Sequence, residues 1–201
     1  QLAQRLERLG HDVLDTGDVP IPTRETLGVG RGIEFLPTIT GICTDIAERT
    51  AAIVRDGRIP VVLGGDHSLA AGSIAGVATA LAERGERLGV IWLDAHADLN
   101  TPESTLSGNV HGMPVAHLLG HGDAGMASIA RPAPAVRPEH LVIIGARDLD
   151  QAERTHAREY GVTIYTMRDI DERGLRTVLA EAIAAVSQGT TGLHVSLDLD
   201  F

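Results

Sequence analysis

Three short aliphatic runs in this chain each stop on acid or imidazole groups, and that pattern constrains its fold more than any other feature. Leu88-Gly-Val-Ile-Trp-Leu93 runs into Asp94-Ala-His96-Ala-Asp98, and Leu193-His-Val-Ser-Leu197 runs into Asp198-Leu-Asp200. Pro60-Val-Val-Leu63 passes through two glycines into Asp66-His67. Runs of this length bounded by turn residues read as strands. Helical stretches over 36–55, 68–84, 151–160 and 169–187 separate them and the further strands over 140–144 and 162–165. Alternating strands and helices imply an α/β chain, a three-layer αβα fold with a parallel central sheet covered on both faces. In an open sheet of this kind ligands bind at the carboxyl ends of the strands, so the three acid-bearing ends point to one shared site.

Side chains alternate along extended backbone, so Asp94, His96 and Asp98 project to one side, and Asp198 and Asp200 do the same. Buried ionised groups cost several kcal/mol each unless compensated, and a divalent cation compensates them well. Mixed carboxylate and imidazole donors suit Mn, Fe or Zn, and several bridging carboxylates suit a metal pair. Each element has a plainer reading. The pentapeptide alone could be a strand running into a solvated loop, Asp66 an ordinary helix N-cap, and His67 a packing or surface histidine. His111 lies in Ser107-Gly-Asn-Val-His111-Gly, between flexible residues that can aim an imidazole into a cleft. The near-neutral reference pKa of imidazole in general suits proton transfer, against the plainer role of packing at a helix start. His11, His117, His121, His140, His156 and His194 carry no comparable context and read as surface.

The rest of the chain bounds the function class. Its 201 residues fit a single domain, and with aromatics at 2% the core must be aliphatic. A formal charge of -10 argues against nucleic acid and anionic membrane as partners. One cysteine, Cys43, excludes an internal disulfide and suits a reducing cytoplasm; it falls in the first long helix, where it reads as a small buried apolar group. No apolar run reaches the length of a membrane span, and no signal-peptide pattern is present. A helix up to Leu9 is stopped by Gly10, a strand over 11–15 follows, and 16–32 is a long glycine-rich loop. Gly174 is a weak point inside the last helix. The chain opens within a helix-like segment without Met and stops on a strand, so it reads as one domain over 1–201 truncated at both ends.

Gly64-Gly-Asp-His-Ser68, Asp94-Ala-His-Ala-Asp-Leu-Asn100, Ser107-Gly-Asn-Val-His-Gly112 and Ser196-Leu-Asp-Leu-Asp200 occur in that order. Together they closely resemble the successive signatures of the arginase or ureohydrolase family, and the resemblance runs through almost the whole chain. Within that family Asn100, Ser107 and Arg147-Asp-Leu-Asp150-x-x-Glu153 look like the arginases and unlike the agmatinases. The resemblance implies hydrolysis of L-arginine to L-ornithine and urea by a hydroxide bridging two Mn2+ ions, in a homotrimer or homohexamer. It implies His67 and Asp98 on one Mn, His96 and Asp200 on the other, and Asp94 and Asp198 bridging. Catalytic roles fall on Asp98 and on His111, the proton relay. Asn100 and Ser107 would hold the substrate carboxylate, and Asp150 and Glu153 would face its α-ammonium. Family members open with a further glycine-rich strand and continue beyond Phe201, where a glutamate grips the guanidinium. The alternative within the family is agmatinase or another guanidino-substrate hydrolase. Dinuclear phosphoesterases use similar elements in a different order, and a non-catalytic family member would still need to compensate its buried acids.

Overall fold

The computed structural model describes residues 2–28, 30 and 32–201, with Arg24 and Glu25 described by their backbone alone. Gln1, Val29 and Arg31, which the sequence assigns to the first helix and the glycine-rich loop, lie outside the described residues. In chain order the helices are α1 (Leu2–Arg8), α2 (Arg24–Leu27), α3 (Leu36–Arg55) and α4 (Leu69–Ala82). Strand β1 (Leu88–Leu93) follows, then α5 (Pro114–Leu118), α6 (Ala124–Ala127) and β2 (Leu141–Ala146). The chain ends with α7 (Gln151–Tyr160), β3 (Thr163–Thr166), α8 (Met167–Arg173), α9 (Leu175–Val186) and β4 (Gly192–Leu197).

The strands form one parallel sheet in the order β3-β2-β1-β4. Pairing of Val90 with Leu141 and of Trp92 with Ile143 puts these four side chains on one face, packed with Ile74, Val77, Ala78 and Leu81 of α4. Ile91, Val142 and Ile144 form the opposite face against Val178, Ala182 and Val186 of α9. Burial on both faces explains why β1 and β2 read as unbroken aliphatic runs. Helix α4 is apolar around its whole circumference because it lies between the sheet and α3. Its glycines permit that closeness: a Cβ at Gly76 would stand 2.1 Å from Thr50 Oγ1 and 2.2 Å from the Ala47 carbonyl oxygen. As expected, Cys43 is buried on the same α3 surface; its thiol donates to the Ser68 carbonyl at 3.2 Å, and burial pushes its pKa up to about 12.

Four expectations need correction. No strand forms over 11–15 or 60–63. Extended backbone becomes a strand only against a partner, and β4 lies at the sheet edge with no strand on its outer side among the described residues. The sheet is covered on both faces at β1 and β2 but not at β4, where Leu193, Val195 and Leu197 are exposed. The helix expected over 169–187 is two helices, because Gly174 breaks it with a positive φ of 80° and Thr166 starts α8 with a capping box to Asp169. The histidines read as surface are mostly not so. His117 and His140 are buried, and His121, His156 and His194 are half-buried, which leaves His11 exposed. His121 and His156 both stack with the Tyr160 ring, an apolar use of imidazole that composition does not signal. Among the described residues no helix is long and apolar enough to cross a membrane.

Candidate metal centre

Strand register delivers the acids. Asp94 N donates to the Ile144 carbonyl at 3.1 Å and Asp198 N to the Leu93 carbonyl at 2.9 Å, so each acid is the first residue past its strand, on neighbouring strands. His67 arrives from the segment that opens α4. Its Nδ1 lies 2.8 Å from Asp94 Oδ2, 3.3 Å from Asp98 Oδ2 and 3.2 Å from Asp198 Oδ2. His96 Nδ1 lies 3.2 Å from Asp94 Oδ1 and 3.3 Å from Asp200 Oδ2. Two groups with ligand spacing therefore exist, His67 with Asp94 and Asp98, and Asp94 with His96 and Asp200. Asp94 belongs to both, one carboxylate oxygen facing each imidazole. The structure brings all six sequence-predicted ligands together.

The electrostatics show a cluster short of positive charge. Asp98 is 4% exposed, its Oδ2 has no hydrogen-bond partner among the described residues, and burial pushes its pKa up to about 7. Burial pulls His67 down, but its hydrogen bond to Asp94 and the Asp98 carboxylate 3.3 Å away outweigh that and push it up to about 9. Burial also disfavours the Asp94 carboxylate, yet donors from His67, the His96 amide and Trp92 hold its pKa below the usual range. His96 is raised: burial opposes charge, while Asp94, Asp200 and Asp98 favour it. A proton on His67 neutralises part of the cluster, and an orphaned buried carboxylate oxygen remains. Divalent cations would satisfy both, and oxygen with imidazole donors suits a hard or borderline ion.

Several supporting groups escape a reading of the sequence. The His67 ring stacks on Trp92 with centroids 4.1 Å apart, and its Nε2 lies 2.9 Å from Ser196 Oγ. Trp92 Nε1 donates to Asp94 Oδ2 at 3.0 Å. The Arg147 guanidinium donates to the Asp200 carbonyl, and the Ala95 amide donates to Asp200 Oδ1 at 3.2 Å. Inward alternation along β1 and β4 could have flagged Trp92 and Ser196; the Arg147 contact has no local signal.

The remaining predicted residues divide. Asn100 is buried and donates from Nδ2 to Asp150 Oδ2 at 2.8 Å, so those two meet. Asp150 and Glu153 form a reciprocal capping box at the start of α7, and Glu153 also accepts from the Leu99 amide at 3.4 Å. The Asn100 and backbone hydrogen bonds keep Asp150 ionised against a desolvation penalty, whereas burial raises Glu153. A cleft of about 400 Å³ opens beside Asp150, lined by Ser104, Leu106, Gln151, Ala152, Thr155 and His156, and it contains none of the six ligands. Backbone from Asp98 to Asn100 joins cleft to cluster. Ser107 serves its own loop, accepting from the Asn109 amide at 3.1 Å, and is not brought against Asn100. His111 is half exposed with Nδ1 3.6 Å from Asp66 Oδ2, outside both ligand groups.

Comparison with known proteins accounts for this arrangement. The family model described as the arginase family matches residues 1–201. The chain belongs to the arginase family. It is 46% identical to an arginase of Bacillus caldovelox over 200 residues, covering 98% of this chain and 65% of that relative. Against the Bacillus subtilis (strain 168) arginase it is 42% identical over 199 residues, with coverage of 99% and 65%. The native Bacillus caldovelox arginase structure superposes with a TM-score of 0.89 at 44% identity, over 98% of this chain and 65% of that one. A formimidoylglutamase structure from Bacillus subtilis superposes with a TM-score of 0.67 at 26% identity, over 92% and 50%. The arginase-family chain thus spans about 65% of the length of its curated relatives.

Proposed function

We propose that the protein containing this arginase-family chain hydrolyses L-arginine to L-ornithine and urea with two Mn2+ ions per chain. The carrying observation is the pair of ligand groups that share Asp94. His67 and Asp98 would hold one ion, His96 and Asp200 the other, and Asp94 and Asp198 would lie between them. A metal pair supplies a water that loses its proton near neutral pH and can attack the guanidinium carbon.

The chain's own residues do the rest. Trp92 and Ser196 hold the His67 ring, and Arg147 and the Ala95 amide hold Asp200, so the donors are oriented before substrate arrives. His111, half exposed and outside the ligand set, passes a proton to the leaving amine. The Asn100–Asp150 pair beside the cleft marks the amino-acid end of the substrate, with Asp150 and Glu153 facing the α-ammonium and Asn100 and Ser107 the α-carboxylate. Assembly as a homotrimer or homohexamer and a cytoplasmic setting complete the reading. The likeness to formimidoylglutamase favours one rival, a related hydrolase on another nitrogen-rich amino acid or guanidine.

Urea release by the full-length protein with Mn2+ on arginine, agmatine and guanidinobutyrate decides. Arginine is expected to exceed agmatine by at least about 100-fold in kcat/KM, because a site built to pair polar groups rejects the analogue lacking them. Equal values for the two would move the assignment to agmatinase.

A further inference from the structure

We propose that Asp66 is a positioning residue for His111, a reading that rests on the arginine hydrolysis proposed above. Asp66 is not a member of either ligand group. One of its oxygens is committed: Oδ1 accepts from the Ser68 amide at 3.2 Å and from the Ser68 hydroxyl, which fixes the carboxylate at the entry to α4. Oδ2 is thereby turned toward His111 Nδ1 at 3.6 Å. Among the described residues no other acid stands within ion-pair range of His111.

His111 needs such a partner. It sits on a single 3-10 turn, Val110–Gly112, whose backbone is pinned by the Asn100 amide donating to the Gly112 carbonyl at 3.0 Å. The main chain is therefore placed, while the half-exposed ring keeps its rotamer and tautomer choices. A carboxylate held on the Nδ1 side removes both: Nδ1 carries a proton toward Asp66, and Nε2 is left to take or release one. At 3.6 Å the contact is longer than a hydrogen bond, and such contacts shorten when substrate closes the site.

A double-mutant cycle on the full-length, Mn-loaded protein tests this, with urea release from arginine and Mn content measured for wild type, Asp66→Asn, His111→Ala and the double variant. Asn keeps an acceptor for Ser68 and so preserves the turn, but removes the charge facing His111. His111→Ala is expected to keep its Mn and to lower kcat by roughly two to four decades. Asp66→Asn is expected to lower kcat by about tenfold with KM for arginine and Mn content unchanged. In the His111→Ala background the same change is expected to alter kcat by less than about twofold, since the effect runs through the missing ring. A wild-type kcat in Asp66→Asn, equal losses in both backgrounds, or loss of Mn would each overturn the proposal. Urea release by wild type with an additive cycle removes only the positioning role. A wild type that releases no urea from arginine removes the hydrolase reading and this one with it.

Discussion

Asp94 is the residue on which the centre turns, because one side chain faces two imidazoles from a position 1% exposed. It was legible from the sequence: it is the first residue beyond an apolar run, and parallel strands place such residues together. His117 was not legible. It lies in the short helix α5, too brief for periodicity to tell inside from outside. Yet it is 1% exposed, and neither ring nitrogen has a hydrogen-bond partner among the described residues. Burial pushes its pKa down from 6.5 to about 4, against the pull of Asp123 and Glu103. The unfolded chain therefore binds the extra proton first, so this contribution is whole above about pH 6.5 and is lost as pH falls toward 4. The thermal midpoint is expected to drop across that window, and His117→Leu to shrink the drop. His194, also pushed down to about 4 by burial, keeps part of the slope in the variant. An identical pH slope with and without His117 would refute the assignment.

Helices α3 and α4 show why sequence patterning reaches elements before it reaches contacts. Both were legible from composition and their bounding residues, but the closeness of their backbones rests on Gly72 and Gly76, which in the sequence look like helix weak points. Gly76→Ala is expected to destabilise the protein by about 1–3 kcal/mol in denaturant titration, because the added methyl meets backbone and cannot be relieved by a rotamer change. No measurable change would mean that the two helices sit farther apart. The segments over 11–15 and 60–63 were misread for a different reason: a strand is a property of two segments, and alternation in one cannot supply the other. At the start of α7, the two acids that form the capping box are also the ones proposed to face the substrate's α-ammonium. Asp150→Ala is expected to cost about 1 kcal/mol of stability through the lost cap. It is also expected to raise KM for arginine with Mn content unchanged, and a stability loss without a KM change would leave Asp150 as a cap alone.

Over the whole molecule, the core is closed around β1 and β2 and open beside β4. Leu193, Val195 and Leu197 on β4 are 46%, 54% and 57% exposed, and Ile59, Val61 and Leu63 are 89%, 63% and 74% exposed. Two apolar rows of this kind do not stay in water unaided. The 201 residues alone are expected to bind a hydrophobic dye and self-associate, as an open sheet edge does. A monodisperse chain with no dye binding would contradict the exposure described. The fold class and a shared acidic site could be read before any coordinates, because both follow from where apolar runs stop; the choice of six candidate ligands rested on the family resemblance. The second layer was legible only in part: alternation could have flagged Trp92 and Ser196, whereas Arg147 meets Asp200 only once segments distant in sequence have come together. The most direct test of the shared two-ion centre is the number of Mn2+ ions bound per chain of the full-length protein, measured for wild type and Asp94→Asn beside urea turnover. Two ions per chain are expected in wild type; Asp94→Asn should bind fewer and lose at least about 100-fold in turnover, since even groups that only support a ligand cost 10–100-fold. Two ions with near-normal turnover in Asp94→Asn would contradict a centre built on that carboxylate.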